Sequence, residues 1–210
     1  MRYRNSAESW DHVQLDVDVH SLCSSLMGKR DKPESASLVF PSIYLGPASA
    51  ASSASFLTSN SITHVLSIGA TPKQQVPGIV YHRIPLKDTS STSITPACAE
   101  AYKIIDAALR SKHGDAFGKI LVHCWAGISR SPSVLTAYLM RRHKMSLKIA
   151  LGQIVRARPQ VSPKFVEQLK DIEMELFGSI SLDVDELPKR ESDRLALFNE
   201  EDSYAGVVDK

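Results

Sequence analysis

Cysteine is scarce in this chain: three among 210 residues, Cys23, Cys98 and Cys124, widely spaced and odd in number. That pattern argues against a disulfide framework and against a four-ligand zinc site, and it suits a reducing compartment, so a cytoplasmic or nuclear location is expected. Long apolar runs are missing as well. No stretch approaches the roughly 18 residues of a membrane helix, and the opening MRYRNSAESWDHVQ has no apolar signal core, so no membrane span is expected. His20, His113 and His143 lack metal-ligand spacing; no metal and no cofactor are expected. No internal repeat is visible.

What is present suits one soluble domain with spare tails: 43% of the residues are hydrophobic and 23% charged. The net charge of +2 is unevenly spread, because the stretch from Ser179 onward holds nine acidic and four basic residues, leaving +7 on the rest. A basic body suits an anionic substrate. The segments read as an N-terminal extension and linker (1–37), a folded domain (38–177) and an acidic C-terminal tail (178–210). The tail is expected to be solvated on composition, with Asp193 to Glu201 able to form a docking helix.

Within the domain, LVFPSIYLG reads as a strand broken or placed on an edge by Pro41, and AASSASFLTSN as a small-residue helix stopped by Asn60. ITHVLSIG and YHRIPL read as further strands. From Ser93 to Ser111, Ile94, Cys98, Ala101, Ile105, Ala108 and Leu109 recur at helical spacing. KILVHC is a continuous apolar strand of the kind buried on both faces. Three helical stretches follow: SPSVLTAYLMRR, SLKIALGQIVRAR, and SPKFVEQLKDIEMELF with Ser162 as cap and Pro163 in the first turn. Upstream, VQLDVDVHSLCSSL is a possible helix or strand. Strands alternating with helices predict an α/β fold, a central, mainly parallel twisted sheet of about five strands flanked by helices. Ligands of such sheets lie beyond the carboxyl ends of the strands, where KILVHC runs into Trp125.

The residues at that point are His123, Cys124, Trp125, Ala126, Gly127, Ile128, Ser129, Arg130 and Ser131. A free thiol titrates near pH 8.5, and both a helix amino end and a guanidinium can lower that value. The loop from Trp125 to Arg130 can turn its amides inward as an anion nest, with Gly127 permitting the bend. Arg130 can close over a phosphate with two parallel hydrogen bonds. Ser131 is placed to hydrogen-bond the sulfur when it leaves, and Pro132 opens the helix.

HCWAGISRS resembles the signature of the cysteine-dependent protein tyrosine phosphatase superfamily, and VHCWAGISRSPSVLTAYLM looks like its dual-specificity branch of compact, atypical type. The resemblance runs roughly from Leu38 to Leu176 and includes FPSIYLG and ITHVLSI. It implies the cysteine-phosphatase fold and hydrolysis of phosphotyrosine and phosphoserine/phosphothreonine through a cysteinyl-phosphate. It also implies a general acid on a separate loop. Asp88 is the candidate, after YHRIPL and 36 residues before Cys124; Asp106 and Asp115 are less well placed. His123 is implied to orient the cysteine, with a buried, satisfied histidine as the plainer reading. Trp125 either lines the rim or packs in the core.

Arg156 and Arg158 read as a solvated helix end in preference to a second anion site. One departure from the family stands out: Pro163, Lys164 and Phe165 are contiguous, so the loop before the last helix is about two residues short and lacks the usual asparagine. Expected partners are phosphorylated proteins, with a protein kinase as a candidate on the weak evidence of RYR followed by VQLDVDV; no nucleic acid is expected. The competing functions are an inactive or weak phosphoprotein-binding module and a phosphatase of a non-protein phosphate ester.

Overall fold

The computed structural model describes residues 35–89 and 91–198. The reading of VQLDVDVHSLCSSL, the RYR segment, His20 and Cys23 lies outside the described residues.

The chain enters as a hairpin. β1 (Ser37–Phe40) turns at Pro41 and Ser42, the latter in the left-handed region (φ 63), and pairs antiparallel with β2 (Ile43–Pro47). Two short helices follow, α1 (Ala48–Ala51) and α2 (Ala54–Ser59). The single helix expected here is split because the Ser53 hydroxyl accepts from the Phe56 amide at 3.3 Å and caps a new start. Asn60 stops it, as expected. Then come β3 (His64–Ile68), β4 (Val80–Ile84) and the crossover helix α3 (Thr95–Arg110). A small hairpin of β5 (Lys112–His113) and β6 (Ala116–Phe117), not foreseen from sequence, leads into β7 (Ile120–Cys124).

The sheet order is β1-β2-β7-β3-β4, with every pair but the first parallel. This is the expected mainly parallel five-stranded sheet. β7 lies at its centre between β2 and β3, all five residues buried, which is why its sequence is continuously apolar up to His123. Ile120 and Val122 join the larger core cluster with α3 and the later helices, while Leu121 faces the smaller one with Ala51, Leu57 and Val65. The strand thus has helices on both faces and can end at only one place, the sheet's carboxyl edge.

α4 (Arg130–His143), α5 (Leu147–Ala157) and α6 (Val166–Phe177) complete the larger layer. Ten consecutive residues of α4, Ser131 to Met140, are buried, so this helix is a core element throughout. α6 begins at Val166 rather than at Pro163, because the preceding amides are committed elsewhere: Ser162 N–H donates to the Ile128 carbonyl at 2.9 Å and Lys164 N–H to Ser129 Oγ at 3.3 Å.

Packing continues beyond α6. Gly178 (φ 72) reverses the chain, and Leu182, Leu187 and Phe198 enter the larger core; α7 (Glu191–Leu197) forms between them. The expected solvated tail is therefore ordered through Phe198, since apolar anchors are spaced among its charges, and α7 overlaps the stretch read as a docking helix. Among the described residues no helix is long and apolar enough to cross a membrane.

Candidate active site

The site is built where β7 ends. Register fixes its height: Pro47 on β2 pairs with Cys124, and Ser67 on β3 pairs with His123. From Trp125 the chain loops and enters α4 at Arg130. Gly127 has φ 68, and a Cβ there would stand 2.6 Å from the Gly46 carbonyl group, so both backbone angle and space require glycine. The bend turns the amides of Gly127, Ile128 and Ser131 toward the Cys124 sulfur.

Cys124 is buried, and burial by itself opposes a thiolate. That effect is outweighed by the Ser131 hydroxyl, 3.2 Å from Sγ, and by the three amides, so the thiol sits below its ordinary value. The helix end and its amides act as expected. The Ser131 hydroxyl adds to them.

His123 is fully buried, and burial pushes its pKa down to about 4 against a weaker opposing bond to the Cys124 carbonyl. Its tautomer follows from its partners. A carbonyl only accepts, so Nδ1, 3.1 Å from the Cys124 oxygen, carries the proton; Nε2 then accepts from the Ser67 hydroxyl at 2.8 Å. Both readings of this residue hold together: it is a satisfied core histidine, and it is bonded to the backbone of the cysteine.

Arg130 reaches toward the segment that follows β4. Its Nη1 lies 3.4 Å from the Leu86 carbonyl, and its Nε is a buried donor without a partner among the described residues. An anion above Cys124 is the natural acceptor for such a group. On the facing loop, Asp88 Oδ1 accepts from Ser129 Oγ at 2.9 Å, and Lys164 Nζ lies 3.8 Å from Oδ2. Asp88 is thus held against the loop from Trp125 to Arg130 itself. Asp106 is elsewhere, accepting from the Tyr138 hydroxyl at 3.0 Å and facing Arg142 at 3.5 Å; Asp115 lies in the exposed β5–β6 turn.

The remaining loop side chains divide by exposure. Trp125 is 67% exposed, which places it on the rim and not in the core; Ile128 is at the surface and Ala126 half-buried. The Trp125 carbonyl accepts from Ala48 N–H at 3.1 Å, tying the loop to α1.

One feature corrects the reading from sequence and another completes it. Arg158 is no solvated helix end: it is 2% exposed, its Nε donates to the Gly127 carbonyl at 3.2 Å, its Nη2 to the Ala126 carbonyl at 3.2 Å and its Nη1 to the Ser35 carbonyl at 2.7 Å. By drawing carbonyls outward it turns the adjoining amides inward. The shortened Pro163–Phe165 loop also supports the nest without an asparagine, through the Ser162 and Lys164 amides. Among the described residues no cluster of three or more His, Cys, Asp or Glu could hold a metal ion. Cys98 is buried on α3, and burial pushes its thiol up to about 12 despite a hydrogen bond with Tyr102.

A thiol below its ordinary pKa, inward amides, a closing arginine and a facing carboxylate define a cysteine-based phosphoryl-transfer site. Comparison with known proteins agrees. Residues 43–175 match the model of the dual specificity phosphatase catalytic domain. The chain is 36% identical to Dual specificity protein phosphatase 1 of Arabidopsis thaliana over 140 residues, 65% of this chain and 68% of that protein. It is 38% identical over 144 residues to Dual specificity protein phosphatase 5 of Homo sapiens, covering 67% of this chain but only 36% of the relative. The crystal structure of human DUSP28 superposes with a TM-score of 0.62 at 31% identity, covering 70% of this chain and 97% of that one. The chain belongs to the dual specificity phosphatase family, and it is a dual-specificity protein phosphatase with the fold of that family.

Proposed function

We propose that the protein hydrolyses phosphotyrosine and phosphoserine/phosphothreonine in protein substrates, with Cys124 as nucleophile. The observation that carries this reading is the buried sulfur of Cys124, favoured as thiolate by Ser131 and three amides, on the same loop as Arg130, whose buried Nε has no partner among the described residues. In the first step the thiolate attacks phosphorus, the P–O bond to the substrate breaks, and Asp88 gives its proton to the departing oxygen. Arg130 and the amides of the loop from Trp125 to Arg130 hold the equatorial oxygens as charge shifts onto them. In the second step Asp88, now a carboxylate, takes a proton from water as it attacks the cysteinyl-phosphate. The S–P bond breaks, and the Ser131 hydroxyl donates to the returning thiolate. His123 serves by position, its Nδ1–H fixing the Cys124 carbonyl. No step uses a metal or cofactor.

Protein substrates are favoured over phosphoinositides because Trp125 to Ser129 contains no lysine. A thiolate enzyme of this kind suits the cytoplasm or nucleus, and phosphorylated proteins, a kinase among them, suit its basic body.

The test is hydrolysis of an aryl phosphate without added metal by the wild type, Cys124→Ser and Asp88→Asn, followed by a phosphopeptide panel. Turnover lost in Cys124→Ser with phosphopeptide binding kept is the expected result. Undiminished turnover in that variant would end this account, and wild-type binding without turnover would make the protein a phosphoprotein-binding module instead.

A further inference from the structure

The family match ends at residue 175, yet the buried core continues to Phe198. We propose that residues 181–198 are a strap that positions the phosphate loop, with Arg194 as its positioning residue. The inference rests on Cys124 to Arg130 being that loop.

The strap is fastened at its start. Glu173 on α6, almost fully buried, accepts from the Ser181 amide at 2.9 Å, from the Ser181 hydroxyl at 2.6 Å and from the Leu147 amide at 2.6 Å, joining strap, α6 and the first turn of α5. It is fastened again at its end. The Phe198 ring lies so close over α5 that a Cβ on Gly152 would come within 3.0 Å of it, and the Phe198 carbonyl accepts from Arg156 Nη1 at 2.9 Å.

Between these anchors Arg194 is 5% exposed and meets only carbonyl oxygens. Nη1 donates to Pro188 at 2.7 Å and Lys189 at 2.8 Å, closing the strap on itself, and Nε donates to Pro159 at 2.8 Å. Pro159 follows Arg158, the residue that holds the Ala126 and Gly127 carbonyls. Two buried guanidiniums therefore stand in series, one fixing the turn after α5 and the other fixing the loop from that turn. Hydrogen bonds from a charged donor are the stronger kind and are costly to leave unmade in a buried place. Releasing Pro159 frees the turn, Arg158 then holds its two carbonyls less firmly, and the amides facing Cys124 lose their fixed aim. Small misplacements of this sort reach catalysis without touching a reacting atom.

The experiment compares Arg194→Met, Arg194→Lys and Leu57→Ala in the full chain. Leu57→Ala hollows the smaller core on the other face of the sheet and serves as the control for lost stability alone. At a temperature where each variant is folded, three quantities are read: kcat and KM for an aryl phosphate, inhibition by inorganic phosphate, and the pH dependence of Cys124 alkylation. Arg194→Met is expected to lower kcat/KM about tenfold, weaken phosphate inhibition about threefold and shift alkylation to higher pH. Arg194→Lys should fall between it and the wild type, and Leu57→Ala should match the wild type in all three. If Arg194→Met loses only thermal stability, as Leu57→Ala does, the strap is mere packing and the inference is overturned. Should Arg194→Met fail to fold, Arg194→Lys against Leu57→Ala decides by the same readings. A wild type that neither turns over nor is protected by phosphate refutes the proposed function, whereas the alkylation shift scores the strap independently of turnover.

Discussion

The Cys124 sulfur and both ring nitrogens of His123 are answered by buried neighbours, whereas Asp88 on the facing loop is held by one hydroxyl and one ion pair with a lysine that is 61% exposed. The nucleophile side grows out of the central strand and a buried helix, so its geometry is fixed by the same contacts that fix the fold. The acid side grows out of a polar surface loop. The difference separates two kinds of residue: those whose loss damages structure and chemistry together, and those whose loss touches chemistry alone.

Asp88→Asn is the sharpest test of that separation. It should lower kcat by 10²- to 10⁴-fold on substrates with poor leaving groups while leaving the thermal midpoint nearly unchanged; a matching loss of stability would erase the contrast. Arg158→Met should damage both, costing about 3 kcal/mol in denaturant unfolding because three carbonyls lose a charged donor that is itself buried, with turnover falling as the loop loosens.

A third difference lies in pH. Burial holds the His123 pKa at about 4 against an ordinary 6.5. Well above pH 6.5 neither folded nor unfolded chain protonates this ring, so it contributes no pH dependence there. Below that value the unfolded chain takes up a proton that the folded chain refuses, and stability falls until about pH 4. Its size is on the order of 3 kcal/mol. Burial lowers the pKa of His64 and of His82 too, His64 also feeling His82 and His113, so they push the same way. Unfolding measured between pH 7 and pH 4 should flatten in His123→Asn if this ring carries the effect.

Smaller again, Ser131→Ala should raise the pH at which Cys124 is alkylated and slow hydrolysis of the cysteinyl-phosphate more than its formation. Smallest, Lys164→Met removes only a surface ion pair, worth about 0.5 kcal/mol at most, so turnover should change by less than about threefold and the change should fade with added salt.

The same division decides how much could be read in advance. The loop from Cys124 to Arg130 and its strand and helix are local in sequence, and each residue's chemistry states its use. Asp88 was found because a polar loop after a strand at the carboxyl edge can face the nest, though only the family resemblance singled it out. Arg158 was misread, because its partners lie about thirty residues away and a lone basic residue at a helix end has the composition of a solvated one. The adjoining Pro159, which stops the helix and leaves the guanidinium to turn inward, was the available signal. Ser67 gave none: a serine in a strand declares nothing until register sets it beside His123. The strap was hidden by its charges, which outnumber the few apolar residues that anchor it.

Cys98 carries a last consequence. With its thiol pushed up to about 12, it remains protonated in neutral solution, and it neither attacks a sulfenic acid nor competes for an electrophile. Within the described fold, sulfur chemistry is therefore concentrated on Cys124. The atom proposed as the nucleophile is also where peroxide and covalent inhibitors will strike first, and the mass of the single peptide bearing it keeps the record of what the molecule has met.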